Sequence, residues 1–192
     1  MSTVTTAERT LYEDLWSAVP KYADHAPGEH FLPLFLQTVG EARGHVLDAG
    51  TGSGKGALAL SRAGFRVTCC DVTDAGLVPD AKSLPFYQAC LWTNLRPITA
   101  SGAFDWVYCT DVLEHVPPQF TMLAIHHMLR VARRGLFLSV SLVPDHFGVW
   151  AGQPLHRTVE SFIWWRNSLG EIGNVVEARD LLSTAVFFVT SK

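Results

Sequence analysis

The run Asp48-Ala49-Gly50-Thr51-Gly52-Ser53-Gly54 carries the chemistry most legible in this chain. Alternating glycines let a backbone turn through positive φ and bring bare peptide groups against a ligand. A helix opening at Lys55 would aim its unpaired N–H groups at the same place, so a ligand with polar or anionic groups is expected there. Spacing narrows the choice. A phosphate-binding P-loop needs Gly-x-x-x-x-Gly-Lys-Ser/Thr, but Ala49 stands where its first glycine belongs and Gly56 where its hydroxyl residue belongs. A dinucleotide fingerprint starting at Gly50 would put Lys55 at its third small position, where helix and strand pack too closely for a long side chain. What remains is an acidic residue leading into a Gly-x-Gly-x-Gly turn.

Two further stretches add to it. Arg66-Val67-Thr68-Cys69-Cys70-Asp71 is a β-rich run ending on a carboxylate. A doubly wound fold sets an acid roughly 20 positions beyond the glycine loop, at the tip of strand 2, to accept from ribose hydroxyls. Phe104 to Thr110 is an apolar run that exits into Asp111-Val112-Leu113-Glu114-His115-Val116 and a double proline. In sequence order, VLDAGTGSG, Asp71 and DVLEHVP resemble motif I, the strand 2 acid and motif IV of the class I S-adenosylmethionine (SAM)-dependent methyltransferases, across about Leu47 to Ser141. The resemblance implies a SAM site with S-adenosylhomocysteine (SAH) as product. Its cofactor set would be Tyr22, Asp48, Gly50, Thr51, Gly52, Gly54, Asp71, Val72, Cys90, Leu91, Thr110, Asp111 and His115. Methionine would lie over the glycine loop, ribose on Asp71 and adenine between the exits of strands 2 and 3. Relatives often carry an Asp where Cys90 stands. A thiol is a weak acceptor, so backbone groups at Cys90 and Leu91 or stacking on Trp92 would hold adenine instead.

Methyl transfer from a sulfonium is an in-line displacement, which asks mainly for alignment and exclusion of water. A base is needed only where the acceptor must lose a proton. His115 beside Glu114 is the first candidate, since imidazole titrates in the useful range; His146 and His156 follow, on a loop expected to build the acceptor pocket. The reading is metal-free. Asp111-x-x-Glu114-His115 is nonetheless similar to the acidic-plus-histidine cluster of some small-RNA and ubiquinone-pathway methyltransferases, and with His146 or His156 would suit Mg²⁺ or a transition ion.

These residues need elements to carry them. Leu11, Leu15, Trp16 and Val19 sit at helical spacing in a first helix ended by Pro20. A linker, Lys21 to Glu29, precedes an apolar helix from His30 to Val39 with Pro33 in its first turn. Tyr22 and Glu29 are lid candidates, because methyltransferases of this type commonly cover the cofactor with N-terminal segments. Strands are expected at Val46–Asp48, Arg66–Asp71, Pro85–Trp92, Phe104–Thr110, Gly135–Leu142, Asn174–Glu177 and Ala185–Thr190. The spacing predicts helices over Lys55–Ala63, Gln119–Arg134 and from Val159 to near Gly170, with Arg130, Arg133 and Arg134 as C-terminal cations before a stopping Gly135. Strands alternating with helices indicate an α/β fold: a doubly wound, seven-stranded, mostly parallel sheet with one antiparallel strand, helices on both faces and an N-terminal helical lid. One domain is expected over 1–192, with the lid at 1–40, the cofactor-binding core at 45–142, and an acceptor loop, helix and last two strands at 143–192.

Size and charge bound the partners. The chain has 192 residues, 48% of them hydrophobic and 17% charged, which suits one domain with a substantial core. A net charge of −3 gives no sign of the basic face that duplex nucleic acid requires. The N-terminal residues do not read as a signal peptide, and Gly135 to Pro144 is too short for a membrane span. Cys69, Cys70, Cys90 and Cys109 lack Cys-x-x-Cys spacing and fit reduced thiols in a cytoplasmic protein. The expected function is methyl transfer to O or N of a small molecule or glycan. The alternatives are a SAM- or SAH-binding protein without methyl transfer, an RNA-directed methyltransferase and, least supported by Lys55, a nicotinamide dehydrogenase.

Overall fold

The computed structural model describes residues 3–93, 95, 98 and 103–192, with side chains from residue 6 onward. Seven strands form one sheet in the order β3-β2-β1-β4-β5-β7-β6, where β1 is His45–Ala49, β2 Arg66–Asp71, β3 Phe86–Gln88, β4 Phe104–Thr110, β5 Ala132–Ser141, β6 Asn174–Asp180 and β7 Thr184–Thr190. Only β7 runs antiparallel, pairing β5 on one side and β6 on the other. Strand order reverses between β1 and β4, which lie side by side. In open α/β sheets ligands bind beyond the carboxyl ends of the strands at such a switch point. This is the fold expected from the sequence.

Strand alternation builds the two sides of the core. Val46, Trp106, Tyr108 and Phe137 face α3 (Leu32–Val39) and α4 (Lys55–Arg62), where Phe35, Val39, Ala57 and Leu60 are buried. Leu47, Val107, Cys109, Leu136 and Leu138 face α5 (Pro118–Val131) and α7 (Phe162–Ile172), burying Ile125, Met128, Trp165 and Leu169. Hydrophobic burial on both faces holds the parallel strands, and with them their exits, in fixed relative positions. The cysteines are buried thiols, none in a disulfide. No described helix is long and apolar enough to cross a membrane.

The N-terminal elements are α1 (Thr3–Ala18), a 3₁₀ turn at Pro20–Asp24 and the single-turn α2 (Pro27–His30) ahead of α3. The linker is thus partly helical. Phe35 is fully buried against the sheet, so α3 is a core layer, and only the elements before it can cover the site.

One helix end differs from expectation. α5 stops at Val131, and the chain enters β5 at Ala132, so Arg133 and Arg134 are strand residues. The Arg134 guanidinium lies over the Trp106 ring, 5.6 Å from its centroid, and Arg133 lies 4.0 Å from Asp105. Gly135 does not cap a helix. It sits within the strand at φ 155, where a Cβ would lie 2.7 Å from the Val189 carbonyl oxygen of β7. Pairing of Ala132 and Gly135 with β4 carries the two arginines between them into the strand ahead of the local stop signal. β3 is also shorter than expected, leaving Cys90 to Trp92 in a turn. The short α6 (Gly148–Ala151) forms within the 143–157 loop.

Candidate active site

Gly50, Gly52 and Gly54 all adopt positive φ, at 77°, 51° and 76°. A Cβ on Gly50 would lie 2.3 Å from a Val112 methyl, and one on Gly54 2.4 Å from the Ala81 Cβ. The loop is therefore pinned from both sides, and any side chain at these two positions would collide. Gly56, which spoils the P-loop pattern, has its own reason: a Cβ there would come within 3.0 Å of the Gly28 Cα as α2 crosses the start of α4. The Tyr108 hydroxyl donates to the Gly28 carbonyl at 2.8 Å, and Lys55 Nζ donates to the Ala23 carbonyl at 2.7 Å, tying the N-terminal linker over the loop.

Two carboxylates flank it. Asp48 is buried and accepts from Thr51 Oγ1 at 2.5 Å; burial pushes its carboxyl up to about 7 despite that bond. Asp71 accepts from the backbone N–H of Gly52 at 2.8 Å and of Val72 at 2.6 Å, and burial still raises it to about 6. Desolvation disfavours the charged form more than these bonds favour it. Both acids are poised to ionise near neutrality when a ligand supplies polar partners.

Two adjoining cavities open at the strand ends, sharing Trp16, Tyr22, Gly50, Gly52, Asp111 and His115 as lining. The smaller, about 110 Å³, is bounded by Asp71, Val72, Leu91, Trp92 and Val112. The larger, about 280 Å³, is bounded by Asp48, Thr51, Thr110, Ser141, His146 and His156. Cys90 is buried and lines neither, and its carbonyl accepts from Thr93 N at 2.9 Å and Thr93 Oγ1 at 2.8 Å. Leu91 and Trp92 form the wall instead, and Trp92 is stacked parallel to Phe120. Gly54 shapes the loop without lining either cavity. Tyr22 packs between Trp16 and Phe147 and lines both, whereas Glu29 is exposed on α2 and lines neither.

At the β4 exit, Asp111 takes φ 53°, an uncommon conformation for a residue other than glycine. One of its carboxylate oxygens lies 3.1 Å from His25 Nε2 on the linker, which raises the His25 pKa; the other has no hydrogen-bond partner among the described residues. Glu114 is fully buried. One of its oxygens accepts from Ser141 N at 2.7 Å, the other has no hydrogen-bond partner among the described residues, and burial raises its carboxyl well above the usual range. Burial, with His156 nearby, depresses the His115 imidazole to about 3, so the ring is neutral. Its Nδ1 lies 2.9 Å from the Tyr12 hydroxyl. His156 packs edge-on at 4.7 Å between ring centroids, with its Nδ1 2.7 Å from the Val143 carbonyl oxygen.

Glu114, His115 and His156 thus meet, with ligand-capable atoms within 4.8 Å of one another. His146 lines the same cavity outside that cluster. The Glu114, His115 and His156 donor set fits a divalent cation: it offers a Glu114 oxygen with no hydrogen-bond partner among the described residues and a histidine whose Nδ1 is held by a carbonyl.

Sequence reasoning missed Glu8, Tyr12, His25 and Arg157. Arg157 makes a bidentate pair with Glu8, both bonds 2.7 Å, and donates from Nε to the His115 carbonyl at 2.8 Å. The available signal was the spacing Glu8, Tyr12, Trp16, one helix stripe at i, i+4 and i+8; the apolar pattern through Leu11 and Leu15 drew attention to the other stripe.

The methyltransferase domain family matches residues 47–139. A ubiquinone biosynthesis O-methyltransferase of Pseudomonas aeruginosa is 30% identical over 154 residues, covering 72% of this chain. The chain spans 64% of that relative's length. Among solved structures, a Burkholderia thailandensis 1,6-didemethyltoxoflavin-N1-methyltransferase with bound 1,6-didemethyltoxoflavin and SAH superposes with a TM-score of 0.73 at 16% identity, covering 100% of this chain and 91% of its own. A magnesium protoporphyrin IX methyltransferase from Synechocystis PCC 6803 with bound SAH gives 0.61 at 21% identity, over 85% and 82% of the two chains. Motif order, sheet order and the domain match agree: residues 47–139 form a methyltransferase domain, and the chain is similar to the class I SAM-dependent methyltransferases.

Proposed function

We propose that this protein binds SAM across the two cavities and transfers its methyl group to an oxygen or nitrogen of a small molecule. A glycan acceptor belongs to the same reading, and the four buried thiols accord with a cytoplasmic location for it. The observation that carries it is the meeting of the two cavities at Gly50, Gly52, Asp111 and His115. The smaller suits adenosine, with ribose on Asp71 and the base against Leu91 and Trp92. The larger suits the methionine end near Asp48 and Thr110 together with an acceptor facing His115, His146 and His156. The small-molecule names of the relatives support the acceptor class.

In the reaction the acceptor lone pair forms the new bond to the methyl carbon, the carbon–sulfur bond breaks, and its electron pair stays on sulfur as SAH. An acceptor O–H or N–H would pass its proton to the His115 ring. Trp16 and Tyr22 cover the junction and exclude water. Calorimetry with SAH and with NAD tests cofactor choice: tight binding of NAD alone sinks the reading. Asp71→Ala should weaken SAH binding by about 1.5–3 kcal/mol. Formation of SAH when SAM is mixed with metabolite extracts separates transfer from mere binding, and labelling of RNA alone would point to the RNA-directed alternative.

A second reading is favoured by the two unsatisfied carboxylate oxygens and by the weakness of so depressed an imidazole as a base. In it Asp111, Glu114, His115 and His156 would hold a divalent cation. Such an ion supplies Lewis-acid activation of an acceptor hydroxyl, lowering its pKa. Here Glu114 and Asp111 would balance its charge and His156 would be oriented by Val143. A thermal shift with Mg²⁺, Mn²⁺ or Zn²⁺ that vanishes in Glu114→Gln supports this reading; no shift with any of them ends it.

A further inference from the structure

The larger cavity is one-sided in charge. Asp48, Asp111 and Asp145 line it, and no Arg or Lys does among the described residues. Its imidazoles do not redress the balance. His115 is neutral, and His25 is held by Asp111, so that pair adds no net positive charge. His146 and His156 complete the lining, and imidazole is ordinarily uncharged at about pH 8. Two cations on neighbouring elements are engaged elsewhere: Arg157 with Glu8 and the His115 carbonyl, Lys55 with the Ala23 carbonyl. Backbone N–H groups can receive an anion in place of a cation, but on the acceptor loop they are taken. The Asp145 carboxylate accepts from the backbone N–H of Gly148, of Leu155 at 2.8 Å and of His156 at 3.1 Å. Burial alone would raise its carboxyl, but the three bonds together hold it below its ordinary value, so the cradle is filled by the chain's own anion. The rim is apolar where a basic one would attract anions: Val143 and Leu182 are exposed beside the 2.8 Å bond from Leu142 N to the Ser183 carbonyl, and Ser183 lines the cavity.

A carboxylate or phosphate entering here would leave water for a wall that offers no cation and faces it with carboxylates, which is costly. The methionine end of SAM is a zwitterion, and its ammonium beside Asp48 would balance its own carboxylate. On the reading that the larger cavity takes the acceptor, we infer that this acceptor bears no carboxylate, phosphate or sulfate: it is an uncharged or cationic compound offering a hydroxyl or an amine, and Asp145 is a residue that sets this preference. Specificity of this kind comes from what the site refuses as much as from what it holds.

A soluble metabolite extract passed at about pH 8 over a quaternary-ammonium resin separates the classes. With SAM and the wild-type protein, the unretained fraction should give SAH, and the retained fraction, eluted and desalted, at least about tenfold less. Equal or greater SAH from the retained fraction overturns the inference and leaves methyl transfer standing. Where ribonuclease abolishes that signal, RNA is the acceptor and the small-molecule reading fails as well. No SAH from the unsplit extract defeats the small-molecule reading itself. Asp145→Ser removes the resident carboxylate and frees its three N–H donors. With SAH present, sulfate should raise the melting temperature of this variant at a roughly tenfold lower concentration than for the wild type, with NaCl of equal ionic strength as control. An equal response in the two proteins overturns the role of Asp145. If the variant does not fold, the wild-type fractionation decides alone.

Discussion

Asp48 and Asp71 tie cofactor affinity to pH. Their carboxyls stand at about 7 and about 6 in the ligand-free protein, because burial outweighs their hydrogen bonds. Ribose hydroxyls and a cationic cofactor end favour the ionised forms, so the complex holds fewer protons than the free protein. Affinity for SAH should therefore rise as pH climbs through about 6 to 7 and level off above, with proton release visible by calorimetry in two buffers. Asp71→Asn should shrink the slope; a flat profile in the wild type would show that neither acid changes ionisation on binding. At Gly50 the argument is steric. Gly50→Ala combines positive φ with a 2.3 Å approach to Val112 and should cost about 1–3 kcal/mol in a melting experiment.

The N-terminal elements form two latches of different character. The Glu8–Arg157 pair is bidentate and largely buried on the Glu8 side. Glu8→Gln leaves the guanidinium facing a neutral group and should destabilise docking of α1 by about 1–3 kcal/mol, read as faster amide exchange along α1. The His25–Asp111 contact is half exposed and pH-dependent. Its bond to Asp111 raises the His25 pKa, so its contribution is full below the ordinary imidazole value and is lost as pH rises through the raised one. Linker 20–27 should open more readily at about pH 9 than at about pH 6, after correction for intrinsic exchange. An identical opening at both would assign the linker's order to Lys55 and the aromatic packing of Tyr22.

Across the whole molecule, the site exists because β1 and β4 adjoin and both faces of the sheet are covered. The close crossing of α2 over α4 at Gly28 and Gly56 connects that scaffold to the lid. Gly28→Ala would place a Cβ 2.9 Å from the Gly56 Cα, and an expected loss of about 1–3 kcal/mol should appear as a lower melting temperature. Phe35, fully buried among Phe65, Tyr108 and Phe137, is the core reference: Phe35→Ala should cost about 3–5 kcal/mol without touching a ligand-lining residue.

The sequence alone determined what local chemistry controls. Glycine spacing, Asp71 at a strand tip and the Asp111–His115 exit are read from neighbours along the chain, and periodicity assigned most strands and helices. It failed where distant partners decide. Arg133 and Arg134 carry a helix-end signal that the pairing of the flanking Ala132 and Gly135 with β4 overrides. Cys90 stands at an adenine position in motif order but is turned away from the cavity. Glu8, Tyr12 and Arg157 have no motif, since their meaning comes from a helix docking across a site more than a hundred residues away, as in the |i−j| of 103 between Tyr12 and His115. Tertiary structure also decided the ionisation of Asp48, Asp71 and His115, because desolvation depends on what surrounds a group in space and the order of residues does not report it.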